Sequence, residues 1–95
     1  MCINEYLNYQ GTLYTWHHEP PNFYEARHIT IQDAIQVINR DDSVLIEQDF
    51  TSPRYKHIGL SSAGIIVVIT DESFTRIITA WHASATEVKE WLAAN

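Results

Sequence analysis

The sequence contains one cysteine, three glycines and three prolines in 95 residues. A lone thiol, Cys2, has no partner for an internal bridge, which excludes a disulfide scaffold and fits a reducing compartment. No apolar run reaches the ~18 residues of a membrane-spanning helix, and MCINEYLNYQ is too polar for a secretory leader. The expectation is a soluble cytoplasmic chain with no membrane partner. Positive charge is scarce, with six Lys and Arg against twelve Asp and Glu and a net charge of −6. A domain that grips nucleic acid through its overall field carries the opposite sign, so any RNA-directed role must rest on a local cluster. There is no glycine-rich phosphate loop, serine nucleophile elbow or paired-carboxylate motif, and no cofactor is expected. His17-His18 invites a metal reading, but neighbours on a strand point to opposite faces, and no other histidine stands three or four residues away. No metal site is expected either.

What is present suits one small α+β domain spanning residues 1–95. The 45% hydrophobic content with 12% aromatics is ordinary for a globular chain. A chain of this length buries only roughly 60–65% of its unfolded surface, so a partner subunit would help it. Residues 1–10 have no clear period and read as an N-terminal arm or short edge segment. Thr12–Trp16 has the β-branched and aromatic content of a strand, which Pro20-Pro21 ends. Thr30 with Asp33 makes a weakened capping box, and Ile31, Ala34, Ile35 and Ile38 recur at helical spacing up to a stop near Arg40. Four strands follow: Val44–Gln48, Arg54–Leu60, Ile65–Thr70 and Phe74–Trp81. The third is apolar on both pleat faces, as a central strand is. Ser84 and Glu87 then form a complete capping box for a last helix whose apolar face is Val88, Trp91 and Leu92. The expected fold is a four-stranded antiparallel sheet, plus a short N-terminal strand, with helices packed on it.

Period-2 geometry sorts the candidate residues by face. Arg54, Lys56 and Ile58 share one side of their strand, and Tyr55 and His57 the other. Phe74, Arg76, Ile78 and Ala80 share a side of the fourth strand, joined by His82 if that strand continues. Arg54, Lys56 and Arg76 are half of the chain's cations. A basic concavity with His57 or His82 nearby would supply what RNA cleavage needs: a base, positive charge for the phosphorane and an acid for the leaving oxygen. The structural alternative has Arg54 and Lys56 pairing with Glu47 or Asp49 on a neighbouring strand. Trp91 reads as core, and Trp16 and Trp81 as core or interface.

The run Arg54-Tyr55-x-x-Ile58-Gly59-Leu60-Ser61, followed by Arg76-Ile77-Ile78-Thr79-Ala80, Ala83-Ser84-x-x-Glu87 and the late aromatic Trp91, resembles the BrnT toxins. Trp16 and His28 keep that family's spacing between a first-strand tryptophan and the histidine of its K-H-G turn. Arg27 stands for the lysine, and Gln32-Asp33-Ala34 for the E-E-A that opens the helix. The likeness spans about residues 13–91. It implies a RelE-like fold, a metal-independent endoribonuclease that arrests translation by acting on an RNA substrate, and neutralisation by a cognate DNA-binding antitoxin. Arg54, Arg76 and Glu87 match the family's motif positions.

The chain also departs from that pattern. Trp81 and His82 stand where the family is basic, and the last helix is nearly neutral. Losing a phosphate-contacting arginine costs about 2–4 kcal/mol of transition-state stabilisation. Two readings follow. One is a toxin-like ribonuclease with Arg54 and Arg76 as phosphate ligands, His57 or His82 as acid and base, and Glu87 as a further catalytic position. The other is a catalytically degenerate relative that binds protein through Trp81, Tyr55 and Trp16. A homodimer is compatible with both.

Overall fold

The computed structural model describes residues 4–7, 10–16, 29–48 and 53–95, with the side chains of Asn4, Glu5, Tyr6 and Trp16 left aside. Cys2, His17, His18, Arg27, His28 and Asp49 lie outside the described residues, and so do the expectations that fall on them. Strands β1 (Asn4–Leu7) and β2 (Leu13–Trp16) precede helix α1 (Ile31–Asn39). Strands β3 (Val44–Gln48), β4 (Arg54–Ser61), β5 (Gly64–Asp71) and β6 (Arg76–His82) follow, then helix α2 (Ala85–Ala94).

These strands form one six-stranded sheet in the order β1-β2-β6-β5-β4-β3. The α+β class therefore holds, while the strand count and the all-antiparallel expectation do not. Within residues 1–10, which read as an arm or a short edge segment, Asn4–Leu7 forms the edge strand β1, paired antiparallel with β2 from Asn4↔Trp16 to Leu7↔Leu13. β2 then lies parallel to β6, with Thr15 beside Arg76 and Trp16 beside Ile77. Composition marks a strand but carries no record of its partner, and NEYL is too short to show an alternation.

Both helices begin as their capping residues dictate. The Thr30 hydroxyl accepts from Asp33 N–H at 3.2 Å, while the Asp33 carboxylate accepts from Thr30 N–H at 3.0 Å. Ser84 and Glu87 repeat the device for α2. Each box satisfies donors that a helix start otherwise leaves open.

The helices cover opposite faces of the sheet. On one side, called face A, Ala34, Ile35 and Val37 of α1 pack with Tyr14, Ile66, Val68, Ile77 and Ala80. Face B carries a second cluster of Ile58, Val67 and Ile69, against which Trp81 and Trp91 are partly buried. Leu92 departs from the expected apolar helix face, being 57% exposed. It sits one residue past Trp91, about 100° further round the helix, so the indole contacts the sheet and the leucine does not.

Two positions adjust the pleat. Gly59 lies on face A beneath Val37 and Ser43, and a β-carbon there would run into the Ser43 side chain. The Ser43 hydroxyl donates to Val37 O at 2.6 Å, so this approach fixes the end of α1 against β4. Between β5 and β6 a register shift at Ile69/Thr70 moves the pairing from Ile69↔Thr79 to Thr70↔Ile77. Ile77 consequently joins the face A cluster with Ala80, and Ile78 joins face B. The expected single face of Phe74, Arg76, Ile78 and Ala80 is broken by this bulge. Phe74 is not in the strand. It sits in the β5–β6 turn at φ 63°, with its N–H donating to Asp71 O at 3.2 Å.

Candidate functional site

Arg54 begins β4 and is in register with Asp71, the last residue of β5; Arg76 begins β6. All three stand at one end of the sheet on face B, because Ile77 faces the other way and Arg54 alternates with His57. The two arginine positions are two strand spacings apart, about 10 Å. Arg76 is exposed. The Asp71 carboxylate between them accepts from both N–H and O–H of Ser73. The structure thus brings together the two cations that the sequence pairs.

The imidazoles go elsewhere. His57 is opposite Val68 in register, so it lies on face A, where it is 3% exposed. Its Nε2 is 2.8 Å from Thr70 Oγ1. The Phe74 ring meets it edge-on with centroids 5.0 Å apart. Burial pushes the imidazole from 6.5 down to about 4, which leaves it neutral at pH 7. His82 is exposed, but it pairs with Ile66 at the far end of β6 and also belongs to face A. The expectation that His82 shares a side with Arg76 is corrected by the bulge between them. The expected basic concavity with a histidine inside it does not form, because the sheet separates both imidazoles from both guanidinium groups.

Glu87 lies over face B, on the first turn of α2, and its carboxylate is fully occupied. One oxygen is 2.7 Å from Lys56 Nζ. The other accepts from Ser84 N–H at 2.9 Å and from the Trp81 indole N–H at 3.2 Å. Burial alone would raise this carboxyl, but the ammonium and the N–H donors outweigh it and hold it down to about 2. Lys56 therefore pairs with Glu87 and not with Glu47. The reason is register: Glu47 is opposite Tyr55 and points to face A. The four-residue group of Lys56, Trp81, Ser84 and Glu87 ties α2 to the sheet.

The expected apolar anchors are likewise engaged. Trp81 is partly buried in the face B cluster, and Tyr55 meets Phe74 edge-on at 5.1 Å. Trp16 is placed only by its backbone, beside Ile77. The sequence reading overlooked Phe74, Thr70 and the Lys56–Glu87 pair. One signal was present for Phe74: three turn residues after Asp71 end where hairpins of this length usually place a left-handed glycine.

Among the described residues, no three His, Cys, Asp or Glu side chains are grouped to hold a metal ion. No helix among them is long and apolar enough to cross a membrane. Comparisons with protein-family models, with curated proteins and with solved structures found no match.

Proposed function

We propose that the chain is a catalytically degenerate relative of the BrnT-like toxins, one that uses a RelE-like scaffold as a protein-binding module. The observation that carries this reading is the division of the candidate site across the sheet. General acid–base catalysis needs a proton carrier within hydrogen-bond reach of the group held by the cations. Here His57 is buried and neutral on face A, and His82 stands on that same face. Glu87 shares face B with the arginines but is consumed by Lys56, Ser84 and Trp81. The net charge of −6 points the same way, since it opposes binding to an RNA backbone. The partner implied by the resemblance is a DNA-binding antitoxin in the cytoplasm.

The ribonuclease reading keeps one observation in its favour: Arg54 and Arg76 share a face at one end of the sheet. Inducible expression in bacteria of the wild type and of Arg54→Ala/Arg76→Ala, scored for growth and total-RNA integrity, separates the two. Normal growth with intact RNA at confirmed soluble expression is expected. Arrest with RNA loss, relieved by the double substitution, would establish the ribonuclease instead.

A further inference from the structure

Phe74 occupies a backbone setting, φ 63°, that glycine adopts without steric cost and a bulky side chain rarely adopts. Nothing in the turn itself requires phenylalanine. What holds it is its ring, set edge-on against both Tyr55 and His57. His57 is in turn fixed by Thr70, a fully buried residue of β5. A strained turn is thus supported by an aromatic ring that rests on a buried titratable group.

We propose that His57, Thr70 and Phe74 form a proton-operated latch that fastens the β5–β6 turn to face A of the sheet. In the closed state the imidazole is neutral, and its Nε2 exchanges one hydrogen bond with the Thr70 hydroxyl. Adding a proton places a full charge in a buried setting where, among the described residues, the ring meets the Thr70 hydroxyl and the Phe74 ring. Among the described residues no carboxylate comes within ion-pair distance of the ring.

Of the charged groups on the surrounding elements, Glu47 shares face A with His57 but is exposed at the edge strand, and the others are committed, exposed or turned away. On β3, Leu45 is directly opposite His57, and Glu47 is two pairs along, opposite Tyr55. On α1, Asp33 caps with Thr30, and Arg40 at the helix end is paired with Asp42. In the turn, Asp71 is held by Ser73, and Glu72 is exposed. Arg54 and Lys56 on β4 itself, and Arg76 on β6, belong to face B. The protonated ring is therefore better hydrated outside, and its exit removes the support under Phe74. The turn then relaxes from its left-handed setting. This is a two-state element biased by one proton.

The depressed affinity of the closed imidazole for a proton, with a pKa of about 4 against 6.5, agrees with this direction. The opening constant should rise tenfold for each unit that the pH falls between those values and level off below. Amide hydrogen exchange read by mass spectrometry, corrected for the intrinsic effect of pH, tests the latch. From pH 7 to pH 5, protection of residues 71–77 is expected to fall at least tenfold more than that of β4 and β5. In His57→Gln, which keeps a hydrogen-bonding side chain without the proton, that excess loss should vanish. A uniform loss across the sheet, or the same excess loss in His57→Gln, overturns the proposal. Should His57→Gln fail to fold, Phe74→Gly decides: it removes both strain and ring, so the turn segment should lose its pH dependence while β4 and β5 stay protected. Retention of a wild-type pH profile in Phe74→Gly would refute the latch.

Discussion

Replacing Glu87 by glutamine removes one charge and keeps the size of the side chain and an oxygen that can accept from Ser84 and Trp81. It therefore isolates what the carboxylate does for Lys56, whose side chain is largely buried at 19% exposure. The folded-state pKa of Glu87 is about 2 against an ordinary 4.5. At 1.36 kcal/mol per unit the whole difference sets an upper bound of about 3 kcal/mol, shared among Lys56, Ser84 and Trp81, and solvent screening leaves about 1–2 kcal/mol for loss of the charge. That lies below the roughly 3–5 kcal/mol expected when one member of a fully desolvated pair is lost. For a small domain about 1–2 kcal/mol is a large share of total stability.

The pH dependence has a definite sign. A carboxyl depressed in the folded state contributes fully above about 4.5, and the contribution disappears as the pH falls towards 2. Urea unfolding followed by tryptophan fluorescence at pH 7, 4.5 and 3 should show the wild type well above Glu87→Gln at pH 7. The gap should narrow in acid. Adding Lys56→Met to Glu87→Gln should recover part of the loss, because no orphaned ammonium remains. A gap under about 0.5 kcal/mol at pH 7, or one that does not narrow, would refute the assignment of Glu87 to fastening α2.

Other consequences are checked more simply. Gly59→Ala should cost about 1–3 kcal/mol in chemical denaturation, since its new methyl meets Ser43 and Val37, and Ser43→Gly in the same chain should relieve most of that. Ser84→Ala and Thr30→Ala should each cost about 1 kcal/mol through their helix starts, with the first also loosening the hold on Glu87. His57 makes wild-type stability fall by about 1.4 kcal/mol per unit as the pH drops from 6.5 towards 4, since the unfolded chain takes the proton first. His57→Gln should flatten that slope in thermal or urea unfolding, and an unchanged slope would assign it to other groups.

Local chemistry made much of the fold readable in the sequence. Both capping boxes announce their helices, and Ile65–Thr70, apolar on both pleat faces, becomes the strand flanked on both edges and covered on both sides. Alternation also separated Arg54 and Lys56 from Tyr55 and His57 correctly. What the pattern did not hold was anything set by a partner strand. The parallel pairing of β2 with β6 leaves no mark in LYTW, and the bulge that turns Arg76 away from His82 appears only in the register with β5. His82 was misplaced for that reason, whereas alternation had already set His57 on the side opposite Arg54. Glu87 was legible in both of its roles, as a capping residue and as a motif match, but its engagement with Lys56 required α2 to be laid on face B.

The parallel contact of Thr15 with Arg76 has a consequence for how the chain acquires its shape. β1 and β2 precede the other described strands in synthesis, yet the strand they join is the last of the six to be made. The antiparallel neighbours β3 to β6 follow one another directly and can zip in order, with short loops to close. The N-terminal pair must wait, so it meets a sheet edge already formed, at the loop-closure cost of a long intervening segment. During that interval β6 presents an unpaired edge. Chains in which β6 has paired with β5 but β1–β2 has not yet docked should therefore be the species most prone to captured or misplaced strand pairing, and the seating of β1–β2 on β6 is the step that ends the exposure.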